Sequence, residues 1–280
     1  GRSASTPVNE LAPALRTAYE DAGYVYPAYR DRCFADAPES ALSLLSDAFP
    51  RNLPDEAFAG LLDGEIENVV LLVVDGFGLD QWTRLRSELR LLESFERDGT
   101  VTPLTSTYPS ETAAALPSLH SGRYPVEHGS LGWWRHLAGV GRVQSLPYLT
   151  EAGEPVRTVA PETPPASETL YDAESLYERM PAGVRTVLFR PAAFDDPDPG
   201  GYDAGADAYV GYQSVPELAA AVRRELEHEG PQYLFAYLPQ IDALSHEAGP
   251  RAEATASRLE DIVASLDRAL CRVDAERARE

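Results

Sequence analysis

The sequence contains no lysine: its 24 basic residues are all arginine, set against 45 Asp and Glu, for a formal net charge of −21. Nonspecific binding to nucleic acid or to an anionic membrane needs a basic patch that releases counterions, so this balance argues against both partners. Self-repulsion of that size destabilises a compact chain at low ionic strength and is screened in molar salt, where the Debye length shrinks to roughly 3 Å. An extremely halophilic source is therefore expected. Cysteine is almost absent. Cys33 and Cys271 stand far apart with no CxxC or Cys/His spacing, which excludes a disulfide scaffold, argues against a Cys-based zinc site and fits a reducing compartment. Long apolar runs are missing too: Val69 to Val74 falls far short of the roughly 20 residues that a membrane span needs. The start, GRSASTPVNE, lacks a charged region followed by an apolar stretch, so the expected location is the cytoplasm. There is no internal repeat and no low-complexity tract.

What is present suffices for a core: 280 residues with 44% hydrophobic content make one large domain or two modest ones. Residues 1–66 read as short helices and turns (ELAPALRTAYEDAG, ESALSLLSDAF, DEAFAGLLDG), a helical extension packed on the main body at 67–280. NVVLLVVDGFG, residues 68–78, reads as a strand buried on both faces and closed by Asp-Gly. Leu79, Trp82, Leu85, Leu89, Leu92 and Phe95 then predict one helix up to Asp98-Gly99. Further strands are expected at 100–104, 155–159, 185–189 and 233–239, and helices from about Ser110 to Ser121, with a kink at Pro117, and from Val215 to about His228. Residues 192–212 read as an acidic loop, and Leu259, Ile262, Val263, Leu266, Leu270 and Val273 as the apolar face of a last helix. Strands alternating with helices mean a mostly parallel α/β sheet with its site at the C-terminal strand edge.

Three constellations fall at such edges. Asp75 follows the first buried strand, either as a turn or cap residue or as a metal-binding carboxylate, with Gly76 permitting close backbone approach. Ser110 and Thr112 open a helix, where a hydroxyl is either an N-cap or a nucleophile at the positive end of the dipole. Asp242 and His246, four apart after YLFAYLP, are either surface residues or a carboxylate and an imidazole converging on one metal such as Zn²⁺.

In their order along the chain these motifs resemble the type I phosphodiesterase/nucleotide pyrophosphatase family of the alkaline phosphatase superfamily. VVLLVVDGFG resembles its first metal-ligand strand, implying Asp75 as a ligand. TYPSETAAALPSLHSGRYPVEHG resembles its nucleophile helix, in which the attacking residue precedes the Gly of a Thr/Ser-Gly pair by ten; with Ser121-Gly122 as that pair, the implied nucleophile is Thr112 rather than Thr107. His128-Gly129 in the same stretch is read as structural. YLPQIDALSHEAGP resembles the Y-x4-D-x3-H-x2-GP element, implying Asp242 and His246 as ligands of a second metal. The resemblance thus implies an alkaline-phosphatase-like α/β sheet flanked by helices and two divalent ions, expected to be zinc, one held by Asp75 and Thr112 and the other by Asp242 and His246. It also implies hydrolysis of a small phosphate ester through a phospho-threonine. The alternatives are a phosphonate or sulfate ester hydrolase of the same superfamily, or an inactive fragment. Trp133 stands where the nucleotide pyrophosphatase branch carries an Asn. The family's further Asp-His pair and His follow the DxxxH helix, so the chain is expected to be truncated at its C-terminus and to hold an incomplete metal site.

Overall fold

The computed structural model of the protein describes residues 8–58, 66–194 and 201–277. At its centre are four strands, β1 (Asn68–Val74), β2 (Arg185–Pro191), β3 (Ala208–Tyr212) and β4 (Gln232–Leu238), ordered β1-β4-β2-β3 and all parallel. Pleating sends alternate side chains to opposite faces, and every residue of β4 is buried. Leu234, Ala236 and Leu238 accordingly enter one apolar cluster and Tyr233, Phe235 and Tyr237 another, while β2 divides the same way between Val187 and Phe189 on one face and Leu188 on the other.

The first face is covered by α1 (Leu79–Leu85), α2 (Arg90–Asp98), α5 (Val215–Glu225) and α7 (Glu253–Arg277), which contribute Leu85, Leu92, Leu218, Leu259, Ile262 and Leu266. The second is covered by α3 (Thr112–Ser121), with Leu116 and Leu119, and by Leu42 and Phe49 of the N-terminal segment. The short helix α4 (Pro125–His128) follows α3, and α6 (Gln240–Ala248) joins β4 to α7.

Several elements differ from the sequence expectations. The helix expected from Leu79 to Asp98 is two helices, with Leu89 extended between them at φ −114°. Residues 100–104 form no strand; the local pairing is a single bridge between Thr105 and Cys33. The expected strand at 155–159 is a helical turn, Val156–Val159. The acidic 192–212 stretch contains edge strand β3, and an unforeseen hairpin pairs Trp134–Leu137 with Gly141–Gln144. In the N-terminal segment helices occur at Val8–Tyr19, Ala37–Leu42 and Asp55–Phe58, whereas the remainder of the DEAFAGLLDG helix, the start GRSAS and the side chains of Leu270 and Val273 lie outside the described residues.

Helix α3 runs through Pro117. Proline has no amide hydrogen, so the carbonyl of Ala113, four residues earlier, loses its helical donor. The Ser130 hydroxyl, wholly buried, donates to that carbonyl at 2.7 Å instead. Gly122, at φ +69°, ends the helix; a Cβ there would lie 2.4 Å from the Glu39 side chain.

Candidate active site

Strands β1 and β4 are in register up to Val74 and Leu238, so the two chains leave the sheet side by side. The Asp75 amide donates to the Leu238 carbonyl at 2.9 Å, and the Asp242 amide donates to the Asp75 carbonyl at 3.0 Å. Such closeness requires Gly76. Its φ is +77°, and a Cβ on it would lie 2.6 Å from both the amide nitrogen and the Cα of Asp242.

Into this edge α3 delivers its first residue. The Thr112 hydroxyl donates to Asp75 Oδ2 at 3.1 Å, and the same oxygen accepts the Tyr237 phenol at 2.7 Å. Glu111, at the N-cap position of α3, makes no capping side-chain hydrogen bond, so Thr112 sits at the positive end of a helix whose N-cap side chain occupies none of its first-turn amides. Thr107, in contrast, is buried, with its hydroxyl on the Pro109 carbonyl at 3.0 Å. On α6, Asp242 Oδ2 lies 3.4 Å from His246 Nε2, and the His246 ring is largely exposed. Burial and then the charge of Asp75 push the Asp242 carboxyl above its ordinary range, only partly opposed by His246. Burial, with Asp75 beside it, likewise raises the Tyr237 phenol, which stays a neutral donor.

The structure therefore joins the four expected residues as two pairs, Asp75 with Thr112 and Asp242 with His246, tied by the backbone of the two carboxylates. Tyr237 is a further participant. It lies inside the motif, at the end of an apolar strand, where nothing in sequence separates a packing tyrosine from one that aims its hydroxyl at a carboxylate. His128 is buried: Nδ1 accepts the Ser130 amide at 3.1 Å, so the neutral ring carries its proton on Nε2 and donates to Ser118 at 3.0 Å. It fastens α4 to α3.

Two neighbouring carboxylates, a hydroxyl and an imidazole are donors that suit a borderline divalent cation, and the raised Asp242 carboxyl marks a charge that such a cation would relieve. Among the described residues, no group of three or more His, Cys, Asp or Glu converges as a metal site, so each pair supplies two donors. No helix among them is long and apolar enough to cross a membrane.

Comparison with known proteins agrees with this topology. The murine ectonucleotide pyrophosphatase/phosphodiesterase 5 shares the fold at a TM-score of 0.54 and 16% identity, both in an inactive threonine-to-alanine form with AMP bound (75% of this chain, 54% of that one) and without that change (74% and 52%). The chain thus spans about half the length of these solved structures, within an alkaline-phosphatase-like α/β fold. No curated protein matches it in sequence. The sequence profile of one family matches residues 69–276. The chain belongs to the type I phosphodiesterase/nucleotide pyrophosphatase family.

Proposed function

We propose that the protein hydrolyses a small phosphate ester, with Thr112 as the nucleophile and divalent ions held by Asp75 with Thr112 and by Asp242 with His246. The observation that carries this reading is the 3.1 Å hydrogen bond from the Thr112 hydroxyl to Asp75, at a helix start and directly beside Asp242. The hydroxyl proton already has a carboxylate acceptor, and Tyr237 holds that carboxylate from the other side. Attack by Thr112 Oγ1 on phosphorus forms the Thr–O–P bond, breaks the P–O bond to the leaving alcohol and passes the proton to it; water then cleaves the phospho-threonine. Bound divalent ions, with zinc the expected choice, supply the positive charge that the developing oxyanions need and that a chain of net charge −21 otherwise lacks.

The test is turnover of bis(4-nitrophenyl) phosphate in molar KCl with millimolar Zn²⁺ or Mn²⁺, comparing the wild type with Thr112→Ala and Thr107→Ala. Loss of turnover and of a mass-detected phospho-threonine in Thr112→Ala alone is expected. Loss in Thr107→Ala alone would sink the assignment, and faster cleavage of 4-nitrophenyl sulfate would favour the sulfate ester alternative. The two-donor count favours a second reading, a fold that binds an ester without turning it over; wild-type inactivity with every metal supports that one. The acidic surface is read as adaptation to molar salt.

A further inference from the structure

The loop that leads into α3 is held by the N-terminal segment 28–36, which precedes the stretch that matches the family, residues 69–276. Thr105 is its first fixture. The Thr105 amide donates to the Arg32 carbonyl at 2.7 Å, its carbonyl accepts the Phe34 amide at 2.9 Å, and its hydroxyl accepts the Ala28 amide at 2.8 Å. Tyr29 is the second: its phenol oxygen accepts the Tyr108 amide at 3.1 Å, four residues ahead of Thr112. Between them stands Pro109, whose ring fixes φ and whose carbonyl accepts the buried Thr107 hydroxyl at 3.0 Å.

Tyr29 is itself aimed. Its ring stacks on Tyr124 with centroids 4.0 Å apart. The next residue, Arg30, sits at φ +58°, a left-handed conformation that few residues other than glycine adopt. Its amide is shared between the Tyr124 hydroxyl at 2.9 Å and Asp36 Oδ2 at 3.0 Å, and the Tyr124 hydroxyl donates in turn to Asp36 Oδ1 at 2.6 Å, with Asp36 buried. Surroundings that hold a residue in so sparse a conformation over-determine the backbone path there, and strain of this kind clusters at functional sites. The N-terminal segment also reaches the far end of α3, where Arg179 donates to Glu39 at 2.7 Å and to the Ser121 carbonyl at 2.8 Å.

Resting on the reading of Thr112 as the nucleophile, we propose that residues 28–36 set its position, with Tyr29 and Thr105 as positioning residues that act through the loop into α3. Tyr108 is exposed, so without the Tyr29 oxygen its amide turns to water and the loop loses a tether. A nucleophile misplaced by about 1 Å can cost about a hundredfold in rate.

Two measurements on the full chain in molar KCl test this, amide hydrogen exchange by mass spectrometry and turnover of bis(4-nitrophenyl) phosphate with Zn²⁺ or Mn²⁺. Tyr29→Phe keeps the ring stack and removes only the acceptor; Thr105→Val removes the hydroxyl, and Thr105→Ser returns it. Exchange at 108–116 is expected to quicken about fivefold in Tyr29→Phe and Thr105→Val while β4 keeps its wild-type protection. In the same two variants kcat should fall about tenfold or more with KM within about twofold, and Thr105→Ser should restore both readouts. A merely structural role lowers the thermal midpoint and leaves kcat unchanged, and that result overturns the proposal. Unchanged exchange at 108–116 in the folded variants overturns it whether or not the wild type turns over. Quickened exchange with an inactive wild type defeats the nucleophile reading and leaves the hold on Thr112 standing.

Discussion

Replacing Gly76 with Ala probes the contact on which the site depends. Gly76 is at φ +77°, and its added Cβ would sit 2.6 Å from two backbone atoms of Asp242, which cannot rotate away as a side-chain tip could. The left-handed conformation alone costs an L-residue about 1–2 kcal/mol. Forcing a methyl group into a packed contact adds about 1–3 kcal/mol. Gly153 separates the two effects, because its φ is +83° and nothing lies within 4 Å of its would-be Cβ. Gly153→Ala is thus expected to lose only about 1–2 kcal/mol, and Gly76→Ala about 2–5 kcal/mol. Urea unfolding followed by circular dichroism in molar KCl measures both. The Asp242 amide must also move off the Asp75 carbonyl, so any metal affinity of the site should fall in Gly76→Ala and hold in Gly153→Ala. Equal losses in the two variants would mean that the β1 turn yields freely and that the Asp75–Asp242 contact is not set by Gly76.

Three further outcomes are expected. Lowering KCl from molar to tenth-molar lengthens the Debye length from about 3 Å to about 10 Å and should lower the thermal midpoint; a flat midpoint refutes the salt-adaptation reading of the −21 charge. Ser130→Ala strips the Ala113 carbonyl of the hydroxyl that donates to it in place of the missing amide and should cost about 1–3 kcal/mol, and it should cost less in a Pro117→Ala background, where the helical amide returns; equal costs in the two backgrounds would refute the compensation. Burial depresses His120 to about 3 and His128 to about 4, from an ordinary 6.5, so both contribute stability that is present above pH 6.5 and is lost as pH falls toward those values. At pH 5 each should have cost about 2 kcal/mol relative to pH 7, and His128→Gln should flatten that slope in urea unfolding; an unchanged slope refutes the assignment.

Both long apolar runs read from sequence are parallel strands, because NVVLLVV and QYLFAYL leave no polar side to place. Burial on both faces holds for QYLFAYL in the sheet interior, whereas NVVLLVV, expected to be buried on both faces, is an edge strand among the described residues and half-buried except at Val69. Pattern failed where exposure was mixed. AYVGY in β3 alternates between half-buried and exposed positions on a sheet edge, and the surrounding Asp and Gly hide so weak an alternation. At 155–159 a short apolar stretch after Pro155 has the composition of either a strand or a helical turn, and packing of Val156 beneath the hairpin decides for the turn. The break between α1 and α2 carries no Gly or Pro: Leu85, Leu91 and Leu92 all reach the sheet face only if the chain turns near Leu89, a demand of tertiary packing that overrides an unbroken helical period.

The candidate site was legible for a related reason and only to a related depth. Asp75 and Asp242 could each be recognised as following a buried strand, and Gly76 as a point of close backbone approach, because turn chemistry is local. That the close approach is to Asp242 depends on β1 and β4 being sheet neighbours, although β2 and β3 lie between them in sequence. Strand order is a property of how the helices wrap the sheet, and no residue in either turn encodes it. Once β4 is inserted beside β1, matched registers bring both turns out at one level, and a helix start on the second face needs only to end its approach above them to place a hydroxyl on Asp75. Tyr237 follows from the same adjacency: the alternation that buries Phe235 and Tyr233 on the α3 face also points Tyr237 there, one residue short of the edge, where its hydroxyl meets the carboxylate from the neighbouring strand. The hydrogen-bonded trio of Thr112, Asp75 and Tyr237 is thus a consequence of sheet order acting on three local patterns, each of which alone has an ordinary structural explanation.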